Sequence, residues 1–204
     1  MYLPMTLRTN YLKAGMSFFS LEQSRRDIAI DFLFYGCSTV LLTLELCVIC
    51  PSDQWLLSLM LVVGGIVIAS AVEYLSHRFI LHGVKPFSTW HQRHHQQPKS
   101  SIGTPTSVSA SLILVLIFLP LWFSAPLFYA TAVTLGVVIG YATYIITHHA
   151  THHWKGRNRW LVNRKQWHAL HHCVAPDCYY GVSSSLWDHV FATVKRKTPV
   201  KIKR

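Results

Sequence analysis

A chain of 204 residues with 51% hydrophobic and 13% charged positions carries about half the charge of a typical soluble domain, which runs near ~25%. Its five cysteines do not make a disulfide framework, and its net charge of +11 comes with no nucleic-acid recognition motif. Composition therefore argues against a soluble, disulfide-stapled or nucleic-acid-binding protein. It argues for a membrane protein, whose anionic lipids attract flanking cations by about 1 kcal/mol each.

In chain order, residues 1–27 read as an interfacial arm, with Phe18, Phe19 and Leu21 available to dip into lipid. Four apolar runs follow, at 28–50, 54–75, 107–124 and 126–147. Each is long enough, or nearly so, to cross a ~30 Å hydrocarbon layer as a helix. No small-residue cleavage site follows the first run, so it reads as a span and not as a removable signal. Pro51-Ser52-Asp53 and Ala125-Pro126 are tight hairpin turns, and Pro120 is expected to kink the third run. Asp31 and Glu45, inside the first run, read as facing headgroups or neighbouring helices. Cys47-Val48-Ile49-Cys50 has redox-motif spacing but reads as apolar packing. The predicted fold is all-α: residues 28–204 form one domain, a bundle of four transmembrane helices with a cytoplasmic helical cap.

The cations fix the expected orientation. Arg8, Lys13, Arg25 and Arg26 precede the first run, and Arg78, Lys85, Arg93 and Lys99 lie between the second and third. The other eleven follow the fourth, and neither hairpin turn carries any. By the positive-inside rule both termini and the middle loop are cytoplasmic. The expected location is an integral membrane protein of a bacterial cytoplasmic membrane, or of the endoplasmic reticulum if the source is eukaryotic.

Twelve of the thirteen histidines fall in four clusters on that same side. The first is His77 and His82. The second is His91, His94 and His95, spaced i, i+3 and i+4, which share one helix face. The third holds two i, i+4 pairs, His148 with His152 and His149 with His153, about 100° apart around a helix. The fourth, His168, His171 and His172, repeats the second. Pro98 and Pro176 end the helices that carry the second and fourth. His77 and His82, five apart, do not share an α-helical face. Glu73, one turn before His77, is a candidate to hold the far nitrogen of a ligand histidine, and Asp188 is either such an acid or a helix cap. With one pair taken from the third cluster, the groups supply ten imidazoles. That is too many for one zinc ion and suits two metals with four or five nitrogens each. The lack of clustered carboxylates argues against calcium and magnesium. Nitrogen ligation alone does not choose between iron, copper and zinc. His189, nearly alone, reads as an ordinary surface histidine.

These motifs, H-x4-H, H-x2-H-H, H-x3-H and H-x2-H-H in order from Glu73 to Thr193, resemble the fatty acid hydroxylase / sterol desaturase superfamily of membrane di-metal oxygenases. The chain is most similar to the fatty acid 2-hydroxylases, through Glu73–His82, Gly140-Tyr141 with Tyr144 and Thr147-His148, and Gly181–Thr193. The resemblance implies His77, His82, His91, His94, His95, His148, His152, His168, His171 and His172 as ligands, with His149 and His153 as the alternative register of the third motif. The closing Phe-Gly-Thr of the family is Phe191-Ala192-Thr193 here, the acid expected after Tyr144 is Ile145, and no cytochrome b5 domain precedes the first span.

The function so implied is O2-dependent hydroxylation of a lipid acyl chain by two iron ions, although zinc can occupy the same nitrogens in a purified sample. The chain carries no dinucleotide fingerprint, P-loop or haem-attachment motif. Electrons are therefore expected from a ferredoxin or a cytochrome b5 type of protein. Arg157, Arg159, Arg164 and Lys165 are candidates to dock it or to meet lipid headgroups. Trp154, Trp160, Trp167 and Trp187 fit an interfacial aromatic belt. Rival readings are a carotenoid-ring hydroxylase, a lipid or sterol desaturase and, outside enzymes, a metal transporter or sensor.

Overall fold

A computed structural model describes residues 23–100 and 103–195. Most of the interfacial arm, with Phe18, Phe19 and Leu21, lies outside them. Among the described residues all regular secondary structure is helical. Helix α1 (Arg25–Ile49) starts three residues before the expected span, because Ser24 and Asp27 form a capping box. Ser24 Oγ accepts from the Asp27 amide at 3.2 Å and the Asp27 carboxylate from the Ser24 amide at 2.8 Å. A short turn through Pro51–Gln54 leads into α2 (Trp55–Leu75). This helix continues without a break as a π-helical turn, π1 (Ser76–Leu81).

Helix α3 (Phe87–Gln96) lies outside the spans and stops before Pro98. The third span is composite: α4 (Thr106–Ile113), a second π turn, π2 (Leu114–Phe118), and α5 (Leu119–Ser124). Pro120 lacks an N–H and its ring would meet the carbonyl four residues back, and the wide π turn just before it relieves that conflict. Ala125-Pro126 turns the chain into α6 (Leu127–His153), which runs six residues past the expected end of the span. Helices α7 (Arg159–Cys173), capped by Asn158, and α8 (Leu186–Val190) complete the cap.

Four of these helical segments are long and apolar enough to cross a membrane: 25–49, 55–81, 106–124 and 127–153. The fourth is central. Half of its most apolar stretch is buried, against 6–11% for the other three. It packs most extensively against α2 and next against α1. The α2–α6 crossing is close because it is built from small residues. A Cβ on Gly65 would lie 2.3 Å from the Val133 carbonyl oxygen, and one on Gly136 would lie 2.0 Å from that of Val62. One turn on, a Cβ on Gly140 would stand 2.5 Å from Ala69 Cβ. This small-xxx-small pairing lets backbones touch in lipid, where packing has to replace the hydrophobic effect.

At the hairpin end, Leu46, Cys50, Phe128, Ala132 and Leu135 form an apolar core. At the other end the interior is polar. Asp31, buried in α1, accepts from Gln23 Nε2 at 2.5 Å and from the Thr106 hydroxyl of α4, so it joins helices as expected. Tyr35 donates to Ser109 Oγ at 2.6 Å. The described cysteines are all free, and Cys50 Sγ lies 3.0 Å from Ser58 Oγ.

Candidate metal centre

The π1 turn resolves the odd spacing of the first motif. Its i→i+5 hydrogen bonding widens the helix, so that residues five apart come close to one face. The His77 and His82 ring centroids are accordingly 5.2 Å apart. Nine of the ten expected ligands fall into two groups whose nitrogens lie within 4.8 Å of one another: His77, His82, His91, His95 and His171, and His94, His152, His168 and His172. The tenth, His148, brings its Nε2 within 3.2 Å of His94 Nε2 and joins the second group. The i, i+3, i+4 motifs divide between the groups. Helix α3 gives His91 and His95 to the first and His94 to the second, and α7 gives His171 to the first and His168 and His172 to the second. Helix π1 serves only the first group and α6 only the second. The stacked His95 and His172 rings, 4.2 Å apart, form the seam.

The nitrogens face inward. In the first group Nε2 atoms approach at 3.0 Å (His77 with His91, and His91 with His95) and 3.1 Å (His82 with His171). In the second, His152 and His168 approach at 2.8 Å. Metal–imidazole bonds of about 2.1 Å at right angles put neighbouring nitrogens about 3 Å apart, so this spacing fits a shared ion. Five converging imidazoles cannot satisfy one another by hydrogen bonds alone, since each neutral ring has a single N–H. Burial, with neighbouring imidazoles adding to it, pushes His82 down to about 4, His94 and His171 to about 3 and His172 to about 2. His91 and His168 shift the same way for the same reason. These six rings are therefore neutral near pH 7, with lone pairs available to a metal.

The alternative pair is elsewhere. His149 and His153 stack on each other at 4.5 Å, and His149 meets Phe32 of α1 edge-on. They line a cavity beside the second group, together with Asp31, Phe32, Tyr141, Tyr144 and Ile145. His94, His148 and His152 form its metal-facing wall. His189 lies outside both groups, exposed, with Nδ1 2.7 Å from the Ser185 carbonyl.

Glu73 and Asp188 do not hold histidines directly. Glu73 accepts from the Val182 amide at 2.7 Å, the Ser183 amide at 3.0 Å and the Ser183 hydroxyl. Asp188, fully buried, accepts from the Tyr180 and Gly181 amides at 2.8 and 2.9 Å, from Thr193 Oγ1 at 2.7 Å and from Trp167 Nε1 at 3.2 Å. Both carboxylates clamp the loop between α7 and α8. The loop's carbonyls do what the acids were expected to do: His77 Nδ1 donates to Tyr180 O at 2.6 Å and His171 Nδ1 to Cys178 O at 2.7 Å. Donation from Nδ1 leaves the Nε2 lone pair facing the group. Gly181 has no room for a side chain, since a Cβ would lie 2.0 Å from Ser184 O.

Two surface expectations change. Arg164 is buried at 4% exposure, its guanidinium 5.5 Å over Trp167, because it lies one turn before His168 on the inward face of α7. Lys165 is half-buried and donates to the Trp154 carbonyl. Arg157 and Arg159 remain exposed, as do Trp154 and Trp160, whereas the half-buried Trp187 donates its indole N–H to Ser70 Oγ at 3.1 Å.

Comparison with known proteins agrees with this geometry. Residues 62–193 match the family model described as fatty acid hydroxylase. The dihydroceramide fatty acyl 2-hydroxylase FAH2 of Arabidopsis thaliana is 32% identical over 147 residues, covering 66% of this chain and 60% of its own length. The fatty acid 2-hydroxylase of Macaca fascicularis is also 32% identical over 147 residues, covering 66% of this chain but 39% of its own. The chain thus spans less than two thirds of the length of these relatives. A solved structure of full-length scs7p, with only the hydroxylase domain visible, shares the fold at a TM-score of 0.66 and 20% identity, over 86% of this chain and 68% of that one. With a family match that runs through all four histidine motifs, the chain belongs to the fatty acid hydroxylase family.

Proposed function

We propose that the protein is a membrane lipid hydroxylase, inserting one oxygen atom from O2 into an acyl chain beside its carbonyl, a reading supported by relatives named fatty acid 2-hydroxylases. Two iron ions are held by the ten histidines and electrons come from a separate protein. The observation that carries this reading is the convergence of ten imidazoles into two five-ring groups at one end of a bundle of apolar helices. Among the described residues neither group includes a carboxylate, a donor set suited to iron, zinc or copper and poorly suited to calcium or magnesium. Bound iron supplies the one-electron oxygen chemistry that breaks an unactivated C–H bond, which side-chain acids and bases cannot do.

The chain's own residues do the rest. The Tyr180 and Cys178 carbonyls fix the tautomer and rotation of His77 and His171. The cavity against His94, His148 and His152 has Ile28, Phe32 and Ile145 for an apolar chain, and Asp31, Tyr141 and Tyr144 at hand for a polar headgroup. Carbon-2 of an acyl lipid lies next to its headgroup, so a chain entering from the bilayer presents that carbon at the level of the histidines. The positive-inside rule puts this end, and both termini, on the cytoplasmic side. There Arg157 and Arg159 offer an acidic ferredoxin or cytochrome b5 type of donor a docking surface.

Lipid mass spectrometry of cells with and without the chain tests the proposal. A lipid heavier by one oxygen atom is expected with the wild type and is lost with His94→Ala or His171→Ala. A product lighter by two hydrogens would mean a desaturase. An unchanged profile, with protein inserted in the membrane, would overturn the reading.

A further inference from the structure

We infer that the two histidine groups are unequal. The first binds its ion tightly and serves as the fixed centre, whereas the second binds its ion more weakly and is the one that meets the acyl chain. The inference rests on the proposal that each group holds a metal ion.

Three observations separate the groups. First, His77 and His171, both in the first group, donate Nδ1–H to carbonyls at 2.6 and 2.7 Å. Those carbonyls belong to a loop held by five hydrogen bonds, three to the Glu73 carboxylate and two to that of Asp188. The two rings are therefore aimed before any metal arrives, and their Nε2 atoms are made more basic. Loss of such a partner typically weakens metal binding by about 10–100-fold. Second, in the second group the Nδ1 atoms of His168 and His172 are buried without a hydrogen-bond partner among the described residues. Nothing comparable fixes those rings, so more rotational freedom is lost when an ion binds. Third, the cavity reaches His94, His148 and His152 and no histidine of the first group. A substrate or O2 entering by it meets the second group, and an ion there has to keep a position open for an incoming ligand.

The arrangement makes chemical sense as a division of labour. The first group lies against the rigid loop and anchors the cap. The second group faces the cavity, where an incompletely enclosed ion can gain and lose a ligand in each cycle.

The test is metal stoichiometry, which does not depend on turnover. The full chain in lipid nanodiscs is stripped with a chelator and dialysed against graded free zinc, and zinc per chain is measured. One zinc is expected to bind at a free concentration at least tenfold below the second. His152→Ala should abolish the weak class and leave one zinc per chain. Glu73→Gln should weaken the tight class at least tenfold, so that the two classes merge. Should that variant fail to accumulate, labelling of half-loaded wild type with diethyl pyrocarbonate gives the same answer: the peptide with His77 and His82 is protected and that with His148 and His152 is modified. Two zinc ions of equal affinity, loss of both in His152→Ala, or the reverse protection pattern would overturn the inference and leave the two-metal proposal standing. Protein that takes up no zinc at any concentration would remove that proposal and the inference together.

Discussion

Ala192 has φ = 53°, in the left-handed region where a Cβ costs roughly 1–2 kcal/mol. It follows the short helix α8 and sets up the Thr193 amide to return to the Asp188 carbonyl at 2.8 Å. The family's closing Phe-Gly-Thr has glycine here, and the backbone angle gives the reason. Ala192→Gly is therefore expected to stabilise the protein by about 0.5–1 kcal/mol, because relief of the strain is partly offset by the greater freedom of glycine in the unfolded chain. A thermal unfolding midpoint in detergent that fell or stayed put would contradict this. Tyr179, at φ = 59°, accepts a similar strain. It turns the chain so that the carbonyls on either side, Cys178 and Tyr180, both reach histidines. The four histidine clusters are legible from spacing, since imidazoles at such spacings have few other uses, whereas the choice of His148 with His152 over His149 with His153 rests on the resemblance. The acceptors that aim two of the histidines are not legible, because a backbone carbonyl leaves no trace in residue identity. Glu73 and Asp188 stood out as acids near the motifs, but the groups they bind are amides of a loop whose path only the folded chain reveals.

Among the elements, π1 and the α2–α6 crossing set the geometry of the site. The spacing of His77 and His82 rules out a shared α-helical face, and a π turn is what makes that spacing useful. The division of each i, i+3, i+4 motif was likewise hidden. A single helix face looks like one site until a second helix approaches from the opposite side and each ring finds the nearer centre. Most ends of the apolar runs lie within a few residues of the ends of the long helices, because an uninterrupted apolar run satisfies its backbone groups in lipid as a helix. The later end of α6 escaped, since a polar histidine tail reads as the end of an apolar run although the helix carries on. Gly136 makes the crossing testable. A leucine there drives its Cβ into the Val62 carbonyl oxygen, 2.0 Å away, and no side-chain rotation relieves a backbone clash. Gly136→Leu is expected to cost at least the 1–3 kcal/mol typical of overpacking. It should also part π1 from α6, so that metal content falls together with the unfolding midpoint. A leucine at Gly64, where a Cβ meets nothing within 4 Å, should change neither. If both substitutions behaved alike, the close crossing would not be what seats the histidines.

At the scale of the whole molecule, the two ends of the bundle are held by different chemistry. The hairpin end has an apolar core and the helix crossing described above. In the cap, α3 makes its main contacts with π1, and α7 with α6, while the layer between them is largely imidazole. Those rings are crowded, and their nitrogens approach one another at 2.8–3.2 Å. A metal ion turns that crowding into attraction, and each ion present at 100 times its dissociation constant adds about 2.7 kcal/mol to the folded state. Metal removal should therefore loosen the cap and spare the spans, whose packing involves no histidine at the hairpin end. Limited proteolysis in nanodiscs should show new cleavage between 84 and 100 and between 154 and 166 after chelation, reversed when zinc is restored. The spans should stay intact throughout. Equal protection of the cap with and without metal would mean that protein contacts alone assemble the histidine layer. The ions would then be guests in a finished site and not part of what closes it.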